Sequence, residues 1–402
     1  MPVCLGIVAG LRFAVMRPLL GMALLSAAAI MLQVALTRVF SVAQFYHFAF
    51  LVVSLALLGF GASGTALALW PRLRRPGLRA WYALIFAATA TLGYLFVNHF
   101  AFDSYSIAWD RDQAWLLVAN LLVLALPFVF AGLLIGALLA DGAADAGRIY
   151  GANLLGSAAG AIGAILVMSW LTTPQAILVC AALGAVAGVV LAVRSDRLAQ
   201  GAGLLVAAVA IGLVLVFPSA FEVQTSPYKT LSQFRLNPDA EIVRTSENPY
   251  TRVDLVESST IHSAQGLSLG YLGVLPPQSG LVVDAGNLLP VPKADETEPA
   301  LLDNLPSALA YDIRPEANVL VLGSGGGTEV LTARSGASGQ VTVIEPNALV
   351  HRALVDDLSE WAGLADDPRV ELVHEEIRSA SLRLDEDFDV VVLSLSDGYR
   401  PV

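Results

Sequence analysis

Seven apolar runs fill the first half of the chain, at 19–39, 45–70, 81–100, 114–140, 151–170, 176–193 and 203–217. A helix rises 1.5 Å per residue, so ~20 residues cross a hydrocarbon core ~30 Å thick. The runs therefore read as membrane-spanning helices, and a lipid bilayer is the first partner the chain implies. No ordinary soluble domain is 56% apolar and 14% charged, with a mean hydropathy of +0.68. The opening 1–18 carries Arg12 and Arg17 and shows no clean small-residue cleavage site, so it reads as a short leader rather than a signal peptide.

The spans are rich in small residues, as in GFGASG at 59–64, GLLIG at 132–136 and GSAAG at 156–160. Small residues about a turn apart let helix backbones approach closely in lipid, so these stretches read as packing seams. Pro127 is expected to kink the fourth run by removing a backbone donor. Gln33, His47, Asn120 and Asn153 are the polar exceptions within the runs. An ion or amine transporter needs ionisable groups at mid-depth, which disfavours that function. Cys4 and Cys180 have no paired or metal-type spacing, so neither a disulfide framework nor a zinc site is expected.

The net charge of −11 is concentrated in the C-terminal half, which argues against a nucleic-acid partner. In a seven-span arrangement Arg12, Arg17, Arg72, Arg74, Arg75, Arg79, Arg148, Arg194 and Arg197 share one side, and only Arg38 and Arg111 lie near the other. The positive-inside rule puts the first side in the cytoplasm. Seven crossings then leave the C-terminal half outside. A cytoplasmic C-terminal half requires that one segment, the seventh being the candidate, does not fully cross.

From about 218 the pattern changes to alternating polar and apolar residues with Pro and Asn turns, a small β-rich region over 218–315. Residues 316–402 then alternate strand and helix patterns: VLVLG at 319–323, a helix from Thr328, QVTVIEPN, a helix through His351, RVELVHEE, a short helix near Ser379 and FDVVVLSLSD. Such alternation predicts a doubly wound parallel sheet with its ligand at the carboxyl ends of the strands. Gly323, Gly325 and Gly327 directly follow the first strand, where glycine lets the backbone turn tightly and approach a ligand. The dinucleotide fingerprint would need Gly at 328, where Thr stands, so NAD is the weaker reading. Glu345 ends the next strand, where an acid can accept hydrogen bonds from both ribose hydroxyls. A glycine loop alone also serves as a plain structural turn; with the strand before it and the acid after it, nucleoside binding is the preferred reading.

VLVLGSGGGTEV, VTVIEPN, DDPRVELVHEEIRS and FDVVVLSLSDG resemble successive motifs of the spermidine synthase family. RIYGANLLGSAAGAIGAIL and the stretch from Ala35 to Gly64 are similar to spans of bacterial membrane proteins fused to a spermidine-synthase-like domain. The resemblance implies a Rossmann-type class I S-adenosylmethionine-dependent methyltransferase fold, stopping after its fourth strand, in a protein of the bacterial inner membrane. It implies binding of S-adenosylmethionine or its decarboxylated form, with Glu345 on the ribose, Glu376 near the adenine and no metal. A cytosolic nucleoside would place this domain in the cytoplasm, against the charge bias.

Three departures from the family bear on activity. Gly326 stands where the family loop has Asp; Ser394 stands where it has the acid that helps deprotonate the attacking amine; and EPALLDNLP replaces its Tyr-His-Glu stretch. A neutral Ser cannot take an ammonium proton near pH 7 without a partner base, which leaves Asp397 as the candidate catalytic acid-base. Two functions stay open: transfer of an aminopropyl or methyl group to an amine or membrane-associated acceptor, and a non-catalytic membrane scaffold or nucleoside sensor. His262, His351 and His374 have no ligand-like spacing and read as surface or cap residues, the acidic run at 385–389 as a solvated turn, and Tyr46 with His47 as an interfacial belt.

Overall fold

The computed structural model describes residues 2–141, 145–192, 196–216, 221–384 and 386–394. The chain divides into two compact units, Met1–Ser226 and Pro227–Val402.

The first unit is helical: α1 (Pro2–Ala43), α2 (Tyr46–Leu69), α3 (Arg79–His99), α4 (Arg111–Asp141), α5 (Ala146–Met168), α6 (Thr173–Leu191) and α7 (Arg197–Val216). Six of these are long and apolar enough to cross a membrane, and α7 carries a shorter apolar stretch, Arg197–Gly212. The expected leader is continuous with the first span, since α1 runs unbroken from Pro2 with Pro18 inside it. Pro127 likewise lies within α4.

Small residues set the closest helix approach. A Cβ at Gly156 would lie 2.3 Å from the Ala23 carbonyl oxygen, and one at Gly160 the same distance from that of Ala27. No side chain fits there, so α1 and α5 gain dispersion contact along their backbones. The seam also pairs two polar groups, Ser26 Oγ donating to Asn153 Oδ1 at 2.8 Å. Asn120 is paired in the same spirit: its Nδ2 donates to the carbonyls of Phe100 and Leu116 at 3.0 and 2.9 Å.

The second unit opens with α8 (Thr230–Phe234) and an antiparallel sheet of β1 (Glu241–Glu247), β2 (Arg252–Glu257), β3 (Gln278–Val283) and β4 (Asn287–Pro292), in that spatial order. Pro290 and Pro292 lack a backbone donor and fall on β4, an edge strand, where its loss leaves the ladder intact. After α9 (Pro299–Leu302) and α10 (Ala308–Ile313) comes a parallel sheet: β5 (Val319–Leu322), β6 (Val341–Glu345), β7 (Val370–His374) and β8 (Val390–Leu393). Its helices are α11 (Thr328–Gly336), α12 (Ala348–Arg352), a π turn at Ala353–Asp357, α13 (Ser359–Ala362) and α14 (Ile377–Ser381).

The parallel sheet has the order β7-β6-β5-β8. The chain steps outward from β5 to β6 to β7, then returns to pair β8 with the other flank of β5. The carboxyl end of β5 therefore lies where the direction of stepping reverses, the position at which such sheets open a crevice. Val319, Val321, Val341 and Val343 are buried in one core with Val253, Leu281 and Val291 of the antiparallel sheet, so the two sheets share an apolar interior.

Candidate functional site

The loop that follows β5 is built from glycine because its backbone demands it. Gly323, Gly325, Gly326 and Gly327 all have positive φ, at 83°, 57°, 82° and 97°. A residue with a Cβ is strained at each of them. Gly326 has a second constraint, since a Cβ there would lie 2.2 Å from the Pro290 carbonyl oxygen on β4. An Asp at this position has no room here, and the loop packs directly on the antiparallel sheet. The turn then closes with the Gly327 N–H on the Ser324 carbonyl at 2.7 Å and leads into α11.

Glu345 holds this loop in place. Its side chain is 3% exposed at the end of β6. Oε2 accepts from the backbone N–H and the hydroxyl of Ser324, at 2.9 and 2.6 Å, and Oε1 accepts from the Asn347 N–H at 2.8 Å. The carboxylate thus ties the glycine loop to the turn that starts α12. A carboxylate offers about four acceptor sites; three are used internally, which leaves capacity for one further donor.

The turn after β6 reaches the antiparallel sheet. Asn347 caps α12 through its Oδ1, which accepts from the Leu349 N–H at 3.0 Å, and its Nδ2 approaches the Thr251 hydroxyl at 3.5 Å. Beside Thr251, Arg252 forms a forked pair with Asp254, with Nε to Oδ2 at 2.9 Å and Nη2 to Oδ1 at 2.8 Å. Asp254 is fully buried. Two adjacent non-glycine residues, Asp284 and Ala285, also have positive φ, 46° and 57°. Lys229 Nζ donates to the Asp284 carbonyl at 2.9 Å, and the Arg252 N–H donates to Asp284 Oδ1 at 2.9 Å. Strain of this kind persists where its surroundings over-determine it.

Glu376 follows β7 and caps α14, its Oε2 accepting from the Ser379 N–H at 2.8 Å. That bond holds its carboxyl below the usual carboxylate range. Ser394 follows β8, its N–H donating to the Leu322 carbonyl at 3.2 Å. The glycine loop, Glu345, Glu376 and Ser394 thus all lie at or just after carboxyl ends of parallel strands. Asp397 lies outside the described residues.

Among the described residues no group of three or more His, Cys, Asp or Glu side chains is arranged to hold a metal. The His351 and His374 rings sit 5.7 Å apart at the carboxyl-terminal side of α12 and β7. His262 lines an open cleft of about 760 Å³, together with Glu241, Glu257, Glu298 and Trp361, that shares no residue with the glycine loop. Ser324, Asn347, Lys229 and Asp284 were absent from the sequence candidates. Only Ser324 carried a signal, being the one side chain inside the glycine run.

No family model matches this chain, and no curated protein matches it. Among solved structures it is similar to spermidine synthase from Thermotoga maritima, with 18% identity and a TM-score of 0.28 over 39% of this chain and 48% of that one. It is also similar to a spermidine synthase in complex with the transition state analogue AdoDATO, with 18% identity and a TM-score of 0.28 over 38% and 47%. The chain spans about half the length of each structure.

Proposed function

We propose that the sheet-bearing unit is a membrane-anchored, spermidine-synthase-like, Rossmann-type nucleoside-binding domain whose ligand is S-adenosylmethionine or its decarboxylated form. The observation that carries the reading is the glycine loop at the carboxyl end of β5, held by Glu345 through Ser324. Four glycines with positive φ leave the backbone without side chains at the place where the sheet order reverses. Gly326 and Gly327 already face Pro290 and Leu364, so the ligand is proposed to lie against the Gly323–Gly325 part of the loop. The acceptor capacity remaining on Glu345 suits a ribose hydroxyl. Glu376, one strand further along, stands on the side proposed for the adenine.

In the same reading the domain transfers an aminopropyl or methyl group to an amine or a membrane-associated acceptor. A neutral acceptor atom attacks the carbon next to the sulfonium, the carbon–sulfur bond breaks with its electron pair going to sulfur, and a neutral thioether leaves. The acceptor's proton needs a base, and Asp397 is the residue proposed for it, since the Ser394 hydroxyl cannot serve alone.

The test is a pair of variants of the full chain. Glu345→Ala removes a charged acceptor, a loss of ~1.5–3 kcal/mol, and Gly325→Val puts a branched side chain at φ 57°. Each is expected to weaken nucleoside binding at least about tenfold, the equivalent of ~1.4 kcal/mol. Unchanged affinity in both would remove the loop from the binding site.

A further inference from the structure

The helical unit has two ends, and side-chain contacts sort most of its helix ends to one or the other. At the first end, a Cβ on Gly21 would touch Leu191, Arg79 pairs with Asp141, and a Cβ on Gly136 would touch Leu67. The start of the α1 span, the end of α2, the start of α3, the end of α4 and the end of α6 therefore share that end. At the second end, Gln44 Nε2 approaches the Phe102 carbonyl at 3.5 Å and Asn120 reaches Phe100. The α1–α2 and α3–α4 loops lie there.

α7 runs the full distance between these ends. Ala199, near its start, packs in one cluster with Ala80, Leu84 and Ala192 at the first end. Val206 and Ala207 pack midway, against Ala87, Ala181 and Ala185. The segment after α7 is fastened at the second end: Tyr94 Oη donates to the Phe221 carbonyl at 2.7 Å, and Asn98 Nδ2 donates to that of Glu222 at 2.7 Å. Asn98 Oδ1 in turn accepts from the Gln224 N–H at 2.9 Å, and the Ser226 N–H donates to the Ala43 carbonyl at 2.7 Å. The 20 residues of α7 span ~30 Å at 1.5 Å each. Its shorter apolar stretch does not stop it from crossing.

The chain thus makes seven passes and leaves the helical unit at the end opposite its arginine-rich loops. Of the arginines named in the sequence, Arg17, Arg72, Arg74, Arg75, Arg79, Arg148 and Arg197 belong to the first end, four of them between Arg72 and Arg79; the second end has Arg38 and Arg111 together with Asp103, Asp110 and Asp112. Lys and Arg in short loops mark the cytoplasmic side, whereas Asp and Glu contribute little.

We infer that the chain from Pro227 onward works on the non-cytoplasmic side of the membrane, and that its glycine-loop site takes ligand from that compartment. This placement runs against the expectation of an incompletely crossing seventh segment and a cytoplasmic domain, and agrees with the charge bias. Combined with the proposed nucleoside reading, on which this consequence rests, it sets the order of events: an adenosine-type donor made in the cytosol must be exported by a transport step before this domain can use it.

The test uses the full chain in intact cells with Cys4 replaced by Ser; the remaining Cys180 is buried. Single cysteines replace Leu269, which is fully exposed in the β2–β3 connection, and Gly77, where a Cβ meets nothing within 4 Å. A membrane-impermeant maleimide is expected to label the Leu269→Cys variant in intact cells and the Gly77→Cys variant only after permeabilisation. Labelling of Gly77→Cys from outside, labelling of Leu269→Cys only after permeabilisation, or labelling of both at the same step would overturn the inference. C-terminal fusions give an independent readout: alkaline phosphatase active and green fluorescent protein dark supports it, and the reverse refutes it. Labelling reads sidedness alone and titration reads binding alone, so a failure of this placement is distinct from a failure of the nucleoside reading.

Discussion

Replacing Glu345 by Gln keeps the shape of the side chain and removes one of its two acceptor oxygens. In the native chain the carboxylate takes three hydrogen bonds, two from Ser324 and one from Asn347, in a residue 3% exposed. The amide can satisfy one side and must turn its own NH2 toward an N–H on the other. Leaving a buried donor unmet costs ~1–3 kcal/mol, and the bonds that remain lose charge assistance worth about 1 kcal/mol more. The loop is therefore destabilised against its open form by about 2–4 kcal/mol, a factor of about 30 to nearly 1,000 in the opening equilibrium. Hydrogen exchange of the amides of Ser324 and Asn347 in the full chain measures that equilibrium, with β7 amides as the internal reference. Protection changed by less than about twofold would show that Glu345 does not hold the loop, and the account of the site would lose its anchor.

Gly326→Ala must adopt φ 82° and place a Cβ 2.2 Å from the Pro290 carbonyl oxygen, so a loss of about 2–4 kcal/mol is expected; denaturant midpoints of the sheet unit check it, with Gly61→Ala, where a Cβ meets nothing within 4 Å, as the unaffected control. Arg252→Met leaves Asp254 buried without its ion-pair partner, with the Thr245 hydroxyl still donating to it, which costs ~3–5 kcal/mol, and a thermal unfolding shift equivalent to less than about 1 kcal/mol would contradict it. Glu376 has its folded-state carboxyl held below the usual range, so its cap on α14 contributes above the unfolded pKa of ~4.3 and is lost as pH falls through the lower folded value. The stability gap between the native chain and Glu376→Gln is expected to close as pH falls below about 4, and a gap that persists to lower pH would assign the cap another origin.

The helical half was legible because lipid is a simple solvent: a run of about 20 apolar residues has few alternatives. Six runs correspond to helices long and apolar enough to cross. The seventh shows the limit, because its apolar stretch is short and its place in the bundle is set by contacts of Ala199, Val206 and the segment after it with α3 and α6. In the sheet unit the strands VLVL and VTVIE announce themselves through β-branched residues buried on both faces. The turn at Asp284 and Ala285 does not, since Ala carries no preference for positive φ; both are the central residues of the hairpin turn between β3 and β4, closed by the Gly286 N–H on the Val283 carbonyl at 3.0 Å, and Lys229, 55 residues away, adds a hydrogen bond to the Asp284 carbonyl.

In the candidate site the glycine turn was legible in the sequence and the contacts of the acids were not. Periodicity located Glu345 at a strand end, but its engagement with Ser324, 21 residues earlier, exists only once β5 and β6 are paired. Gly326 read as a departure from a family pattern, and the structure supplies its cause in the approach of Pro290, on a strand more than 30 residues upstream. Glu376 was assigned by resemblance to a ligand, while the folded chain also uses it to cap α14. In each case the missing information is a tertiary neighbour, which no local pattern encodes.

Calorimetric titration of the full chain in detergent, with S-adenosylmethionine and then its decarboxylated analogue, tests the central claim most directly. The account predicts saturable heat with at least one of the two, weakened at least about tenfold by Glu345→Ala. No heat with either ligand, from a chain whose Ser324 and Asn347 amides are protected, would show that the glycine loop is a structural turn and that this unit binds no such nucleoside.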